Sequence, residues 1–255
     1  MIPRYLSVHD SILIGLGQVE KFEIAYNWGG IWGSDAVYRR ALEKGIPRPI
    51  EIEEYSNLSV GMRFLAASLG VSFMPVKSLL GSDIPRYNSR IKIVDDPYTG
   101  EPVALVPAAQ PDVAFIHVQR CDEMGNAQIL GHLGDDDSLA RAARHVVITT
   151  EEIVPTEEIR RLPNLTCIPY YCVDAVVKVP FASHGRGCSY YYAMDVPFGI
   201  QVGNAWATED GFKRWAEEWI FGVEDWEGYC RKVGWERLLR LAQAEQRYQK
   251  FGEVR

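Results

Sequence analysis

Apolar residues recur along the chain with two periods, one of strands and one of helices. Val113 to Val118 is a short run of β-branched and aromatic residues, the mark of a buried strand. It stops at Asp122-Glu123-Met124-Gly125-Asn126, where Gly and Asn supply a tight turn. Further strands are expected at Lys21–Tyr26, Ile50–Tyr55, Val71–Met74, Val146–Thr150 and Val173–Val179. Helical spacing falls between them. Ser34 caps a helix from Asp35 to Lys44 closed by Gly45. Ser56 or Asn57 caps a second, Leu58 to Leu69, with Met62, Leu65, Ala66 and Leu69 on one face and Gly70 at its end. Asp137 or Ser138 caps Leu139–Arg144, and Pro155-Thr156-Glu157-Glu158 opens a short helix. This alternation predicts an α/β fold, an open and mainly parallel sheet with helices on both faces.

The linking stretches read less sharply. Ser11 to Gly17 holds two glycines of a dinucleotide-binding fingerprint without the third, so a turn is the better reading. Asn27 to Gly33 is a glycine-rich loop with aromatics, which either lies over a ligand or crosses the surface. Pro75 to Asp83 is a loop at a strand end, and Pro85 to Pro102 reads as an irregular surface excursion. From Thr208 the pattern turns helical throughout: Phe212, Trp215, Ala216, Trp219 and Ile220 share one face, and Val223–Gly234 and Trp235–Phe251 follow. Five tryptophans, Trp206, Trp215, Trp219, Trp226 and Trp235, call for packing on the chain's own core or on a partner, the former being favoured. The expected division is an α/β domain over 1–205 and C-terminal helices over 206–255.

Composition excludes several classes. A net charge of −7 and a pI near 5.3 argue against a nucleic-acid surface. No apolar run approaches the roughly 18 residues of a membrane helix, and Met1-Ile2-Pro3-Arg4-Tyr5 is no signal peptide. The five cysteines, Cys121, Cys167, Cys172, Cys188 and Cys230, form no Cys-x-x-Cys pair, which points to reduced thiols in a cytoplasm.

Candidate chemistry gathers at strand ends, where α/β proteins bind ligands. His184, between glycines and Arg186, reads either as a functional histidine or as a hydrogen-bonded loop residue. His117 lies within a strand and reads as a satisfied core residue. Glu151 and Glu152 offer a nucleophile or base, though a helix start is the better reading. Asp135-Asp136-Asp137 has no His or Cys at ligand spacing and reads as a solvated helix cap rather than a metal site. No G-x-S-x-G elbow, P-loop or His-Glu-x-x-His occurs.

Several motifs in a fixed order carry a resemblance. Phe73-Met74-Pro75-Val76-Lys77-Ser78-Leu79-Leu80-Gly81-Ser82-Asp83 resembles the F-x-P-x-x-S-x-x-G-S-D segment of family I CoA-transferase α subunits, especially those of the glutaconate CoA-transferase group. Pro97-Tyr98-Thr99-Gly100-Glu101, Pro111-Asp112-Val113-Ala114, Asp122 to Gln128, Glu151-Glu152-Ile153-Val154 and Val173 to Val177 follow in the family's order, covering Asp10 to Asp195. Two departures stand out. Members usually begin with a further strand–helix unit carrying a glycine-rich turn; here it is missing, supplied by another chain, or cut from the start. The loop at Ala182 to Gly187 differs from the usual G-A-H-P, although His184 keeps its place.

The resemblance implies a heteromer. A β subunit of related fold, in a heterodimer or heterotetramer, would supply the glutamate that attacks the acyl-CoA; the Glu-Asn-Gly-like motif that carries it does not occur here. Coenzyme A would be a substrate, with no cofactor or metal held by the protein. Ser56, Asn57, Ser78, Gly81 and Ser82 would line the acid-binding side, with backbone N–H groups of the Gly81-Ser82 turn facing the oxyanion. Gln119, Gly125 and Asn126 would shape a loop facing the partner, and His184 would make a polar contact. Related steroid-ring hydrolases place a glutamate on the α subunit where ungapped alignment puts Asn57, which cannot act as a base; Glu54 lies nearby. A non-catalytic acyl-CoA-binding subunit is the other alternative.

Overall fold

The computed structural model describes residues 1–3, 7–27 and 35–252, with side chains through residue 246. The chain is α/β and packs as two compact units, 1–111 with 206–212, and 112–205 with 213–255. The C-terminal helices anticipated as one extension are therefore shared between the units.

In the first unit, α1 (Val8–Gly15) precedes β1 (Lys21–Ile24), α2 (Ala36–Lys44), β2 (Glu51–Glu54), α3 (Asn57–Ser68), β3 (Phe73–Val76), α4 (Ile84–Tyr87), β4 (Lys92–Asp95) and β5 (Pro102–Pro107). β1 and β2 pair in parallel, with Phe22 opposite Ile52. β3, β5 and β4 form a separate antiparallel sheet with β5 in the middle. The excursion expected at Pro85–Pro102 is thus partly structured: it holds α4 and β4. A turn from Asp96 to Gly100 returns the chain into β5, and Gly100 takes φ +72° there. So short a connection permits only antiparallel pairing.

The turn expected across Ser11–Gly17 is instead mostly α1. Ser7 and Asp10 cap it reciprocally, Ser7 Oγ accepting from Asp10 N and Asp10 from Ser7 N. Gly15 ends it because the Phe212 ring lies against its backbone: a Cβ there would stand 2.2 Å from the ring. The α2 cap is Asp35, whose carboxylate accepts from Tyr38 N at 2.8 Å. Ser34 and the glycine-rich residues 28–33 lie outside the described residues. Gly45 closes α2 in the left-handed conformation, as its position predicts.

The second unit is built on a mixed five-stranded sheet ordered β10-β8-β6-β7-β9. Its strands are β6 (Val113–Cys121), β7 (Ala127–Gln128), β8 (His145–Ile153), β9 (Thr166–Ile168) and β10 (Ala175–Lys178), with α5 (Asp136–Ala142) and α6 (Thr156–Arg161) between them. β6, β8 and β10 are parallel, while the short β7 and β9 pair antiparallel. Ala114, Ile116, Val118, Val146 and Ile148 form the core on one face. The apolar run of β6 is not buried on both faces: Val113 and Phe115 remain 45% and 74% exposed. The α5 cap is Asp135, two residues before the nearer of the expected positions.

After β10 come α7 (Val196–Trp206), α8 (Glu209–Ala216), α9 (Trp226–Val233) and α10 (Trp235–Gly252). Phe212, Trp215, Ala216 and Trp219 are buried, so the aromatic stripe is core as expected. Trp226 stacks on Tyr229 and donates from Nε1 to Pro180 O at 2.7 Å, whereas Trp235 stays half-exposed.

Candidate functional site

The candidate residues fall in both units. In the first, Ser56 is the N-cap of α3: Ser59 N donates to Ser56 Oγ, and Ser56 N to Ser59 Oγ. A serine cap leaves a hydroxyl at a helix end where polar groups converge. That hydroxyl meets Ser78 Oγ at 2.9 Å, so two candidates 22 positions apart share one hydrogen bond. Asn57 opens α3 beside them and is exposed. Gly81 takes φ +80° in open space, and its exposed turn is held from behind by Ser82 Oγ, which donates to Leu79 O at 2.8 Å. Ser82 N–H also points at Leu79 O, at 3.3 Å. That N–H is therefore engaged within the turn, so of the two donors expected to face an oxyanion Gly81 N–H is the one left to do so.

Beneath this surface sits a charged group that the sequence did not flag. Glu23 of β1 and Arg63 of α3 form a buried ion pair at 2.6 Å, and Arg63 Nε donates to Pro107 O. The Arg63 guanidinium also lies 4.0 Å from the Tyr55 ring centre. Burying such a pair is tolerable only when the partners neutralise each other. Glu53 accepts from both Lys21 and Tyr55.

In the second unit, the Asp122–Asn126 loop is organised by an aspartate not singled out from the sequence. The buried Asp122 carboxylate accepts from Met124 N, Asn126 N and Asn126 Nδ2. Burial alone would raise its pKa, but the bonds from Asn126, Thr156 and Met124 outweigh it and leave the group below its ordinary value. Asn126 Oδ1 accepts from Tyr170 N at 3.1 Å. Gly125 has φ +95°, and a Cβ there would stand 2.7 Å from Val173 Cγ1. Gln119 is buried and spends its amide on Leu130 N, Leu130 O and Ser189 O. Gln119, Gly125 and Asn126 thus set the shape of their loops through internal bonds.

His184 is buried, with Nδ1 2.8 Å from Tyr229 Oη and Nε2 3.1 Å from Asp195 Oδ2. This matches its reading as a hydrogen-bonded loop histidine. Burial lowers its pKa, and the opposing pull of Asp195 does not restore it.

Glu151 and Glu152 lie within β8, and α6 begins only at Thr156, so they do not start a helix. Glu151 is buried and receives three groups: Phe181 N at 2.7 Å, Tyr192 Oη at 2.7 Å and His117 Nε2 at 2.8 Å. His117 is satisfied as expected, its Nδ1 meeting Thr149 Oγ1 at 2.9 Å. Burial and the neighbouring Glu151 charge push the Tyr192 hydroxyl upward. No pattern of neighbours along the chain joins His117, Glu151 and Tyr192; parallel pairing of β6 with β8 does.

Residues 11–179 match the family described as Coenzyme A transferase. An uncharacterized protein of Archaeoglobus fulgidus is 45% identical over 94% of this chain, which spans 54% of that relative's length. The A-type (α) subunit of 3-oxoadipate CoA-transferase from Pseudomonas knackmussii is 34% identical, covering 89% of this chain and 79% of its own. The crystal structure of glutaconate coenzyme A-transferase from Acidaminococcus fermentans superposes with a TM-score of 0.83 at 33% identity, covering 91% of this chain and 77% of that one.

Proposed function

The chain belongs to the coenzyme A transferase family, and on that footing we propose that it is the α subunit of a heteromeric CoA-transferase. In this reading the enzyme moves CoA from an acyl-CoA to a carboxylic acid, and a partner β subunit brings the attacking glutamate. Coenzyme A enters as substrate, and the protein holds no cofactor of its own. The observation that carries the proposal is the likeness to two CoA-transferases over about nine-tenths of the chain, at 34% and 33% identity.

The geometry supports a division of labour. Ser56, Ser78 and Asn57 present hydroxyl and amide groups for a carboxylate, and Gly81 leaves a backbone N–H for the oxyanion of thioester exchange. Gln119, Gly125 and Asn126 hold the loop that faces the partner. His184 acts from within, as the bridge between Asp195 and Tyr229. Among the described residues no helix is long and apolar enough to cross a membrane. The five free cysteines support a place in the cytoplasm.

The deciding experiment purifies the chain gently from its source cells and identifies what accompanies it. The complex is then given a dicarboxylyl-CoA with acetate as acceptor. Formation of acetyl-CoA with total thioester conserved supports the transferase. Loss of thioester with release of free CoA, independent of acetate, points to the hydrolase alternative. Neither reaction, in a complex that still binds acyl-CoA, points to a non-catalytic role.

A further inference from the structure

The geometry points to a structural zinc site in the second unit, formed by His117, Glu151 and Cys188. An imidazole nitrogen, a carboxylate oxygen and a thiol sulfur lie within 4.8 Å of one another there. They come from three separately anchored places. His117 sits on β6 beside Thr149 of β8, and Glu151 follows two residues later on the same face of that strand. Cys188 is pinned by a two-way backbone bridge to Tyr192, with Cys188 N to Tyr192 O and Tyr192 N to Cys188 O both 2.9 Å. Neighbouring in space but 34 and 37 positions apart along the chain, these ligands escape any search for sequence spacing.

The donor set selects the ion. A thiolate and an imidazole disfavour calcium and magnesium, which take oxygen, and suit zinc, which takes mixed sulfur, nitrogen and oxygen ligands in a tetrahedron. Charge agrees. One thiolate and one carboxylate balance a divalent ion in a place where Glu151 and Cys188 are buried. The outer contacts are those a metal site needs. Thr149 Oγ1 meets His117 Nδ1, and Phe181 N and Tyr192 Oη hold the Glu151 carboxylate. On binding, the Cys188 thiol proton leaves to solvent. The His117 proton settles on Nδ1 against Thr149 Oγ1, and Nε2 turns its lone pair to the ion. Tyr192 or a water completes the fourth position. The site is separate from the proposed transfer chemistry.

The test loads the full chain with zinc or cobalt after chelation and dialysis. The expected result is one zinc per chain by elemental analysis. The cobalt form should show a sulfur-to-metal charge-transfer band and tetrahedral ligand-field bands. Cys188→Ser should lose that band and bind zinc at least about a hundredfold more weakly, beyond the 10–100-fold cost typical of an outer-contact change. Thr149→Val should weaken zinc by about that 10–100-fold factor while keeping the band. Should Cys188→Ser not fold, the wild-type cobalt spectrum decides alone. A wild-type chain that retains no zinc, or a cobalt spectrum without the sulfur band, overturns the proposal.

Discussion

Arg237 holds Asp195 by both carboxylate oxygens, Nε to Oδ2 at 2.6 Å and Nη2 to Oδ1 at 2.7 Å, while His184 Nε2 stands 3.1 Å from the same Oδ2. Asp195 also accepts from Phe198 N at the start of α7. One buried carboxylate thus ties the Pro180–Tyr192 loop, α7 and α10 together. Arg237→Ala leaves that charge short of partners and should cost about 1–3 kcal/mol in urea unfolding, discounted because Arg237 is one-third exposed. Arg237→Lys should recover only part, since an ammonium cannot make the paired fork.

The same cluster sets an acid response. The pKa of His184 is lowered by burial, so the folded state favours the neutral ring. Above about pH 6.5 the ring is neutral folded or unfolded, and its contribution is intact. Below that the unfolded chain takes the proton first, and stability falls until the folded ring titrates too. Burial by itself would raise Asp195, but Arg237, Phe198 N and His184 outweigh it and lower its pKa, adding a second loss below about pH 3.8. Unfolding midpoints measured between pH 7.5 and 5 should fall for the wild type and fall less for His184→Asn. Equal slopes in the two proteins would refute the assignment.

Gly125 is replaceable only at a cost. Its φ of +95° is one that side-chain-bearing residues rarely adopt, and Val173 occupies the space of a Cβ. Gly125→Ala should destabilise by about 2–4 kcal/mol, the strain and the overpacking adding. Combining it with Val173→Ala should relieve the clash but not the strain, and a double-mutant cycle would read the difference.

The Glu23–Arg63 pair is the load that β1 and α3 share in the first unit. Glu23→Gln leaves Arg63, itself almost wholly buried, without a compensating charge. The expected loss is on the order of 3 kcal/mol. A variant with thermal unfolding unchanged would contradict the assignment.

For the proposed transfer reaction, Ser78→Ala removes the hydroxyl that meets Ser56 at an exposed helix end. It should lower kcat/KM of the reconstituted enzyme about tenfold, the worth of one hydrogen bond, with unfolding unchanged. Ser82→Ala should act differently. It loosens the turn through Leu79, so its effect on turnover should come with a measurable loss of stability.

Local chemistry was legible without coordinates wherever a residue's role depends on near neighbours. Gly45 closes α2, Ser56 caps α3, and the stripe of Phe212, Trp215 and Trp219 is buried, because each follows from helical spacing and backbone freedom alone. The ordered motifs from Phe73 to Val177 likewise sufficed to indicate the family, since residue identity is what a family shares. Pairing was not legible. That β4 and β5 close an antiparallel sheet, or that β7 and β9 extend a parallel one, depends on which strand edges meet. The carboxylate of Glu151 looked like a helix start because its three donors, Phe181, Tyr192 and His117, stand 30 or more positions away. Asp195, Asp122 and Arg63 gave no local sign for the same reason. A buried charge is made tolerable by partners that only the folded backbone brings within about 3 Å, and sequence order does not encode that distance.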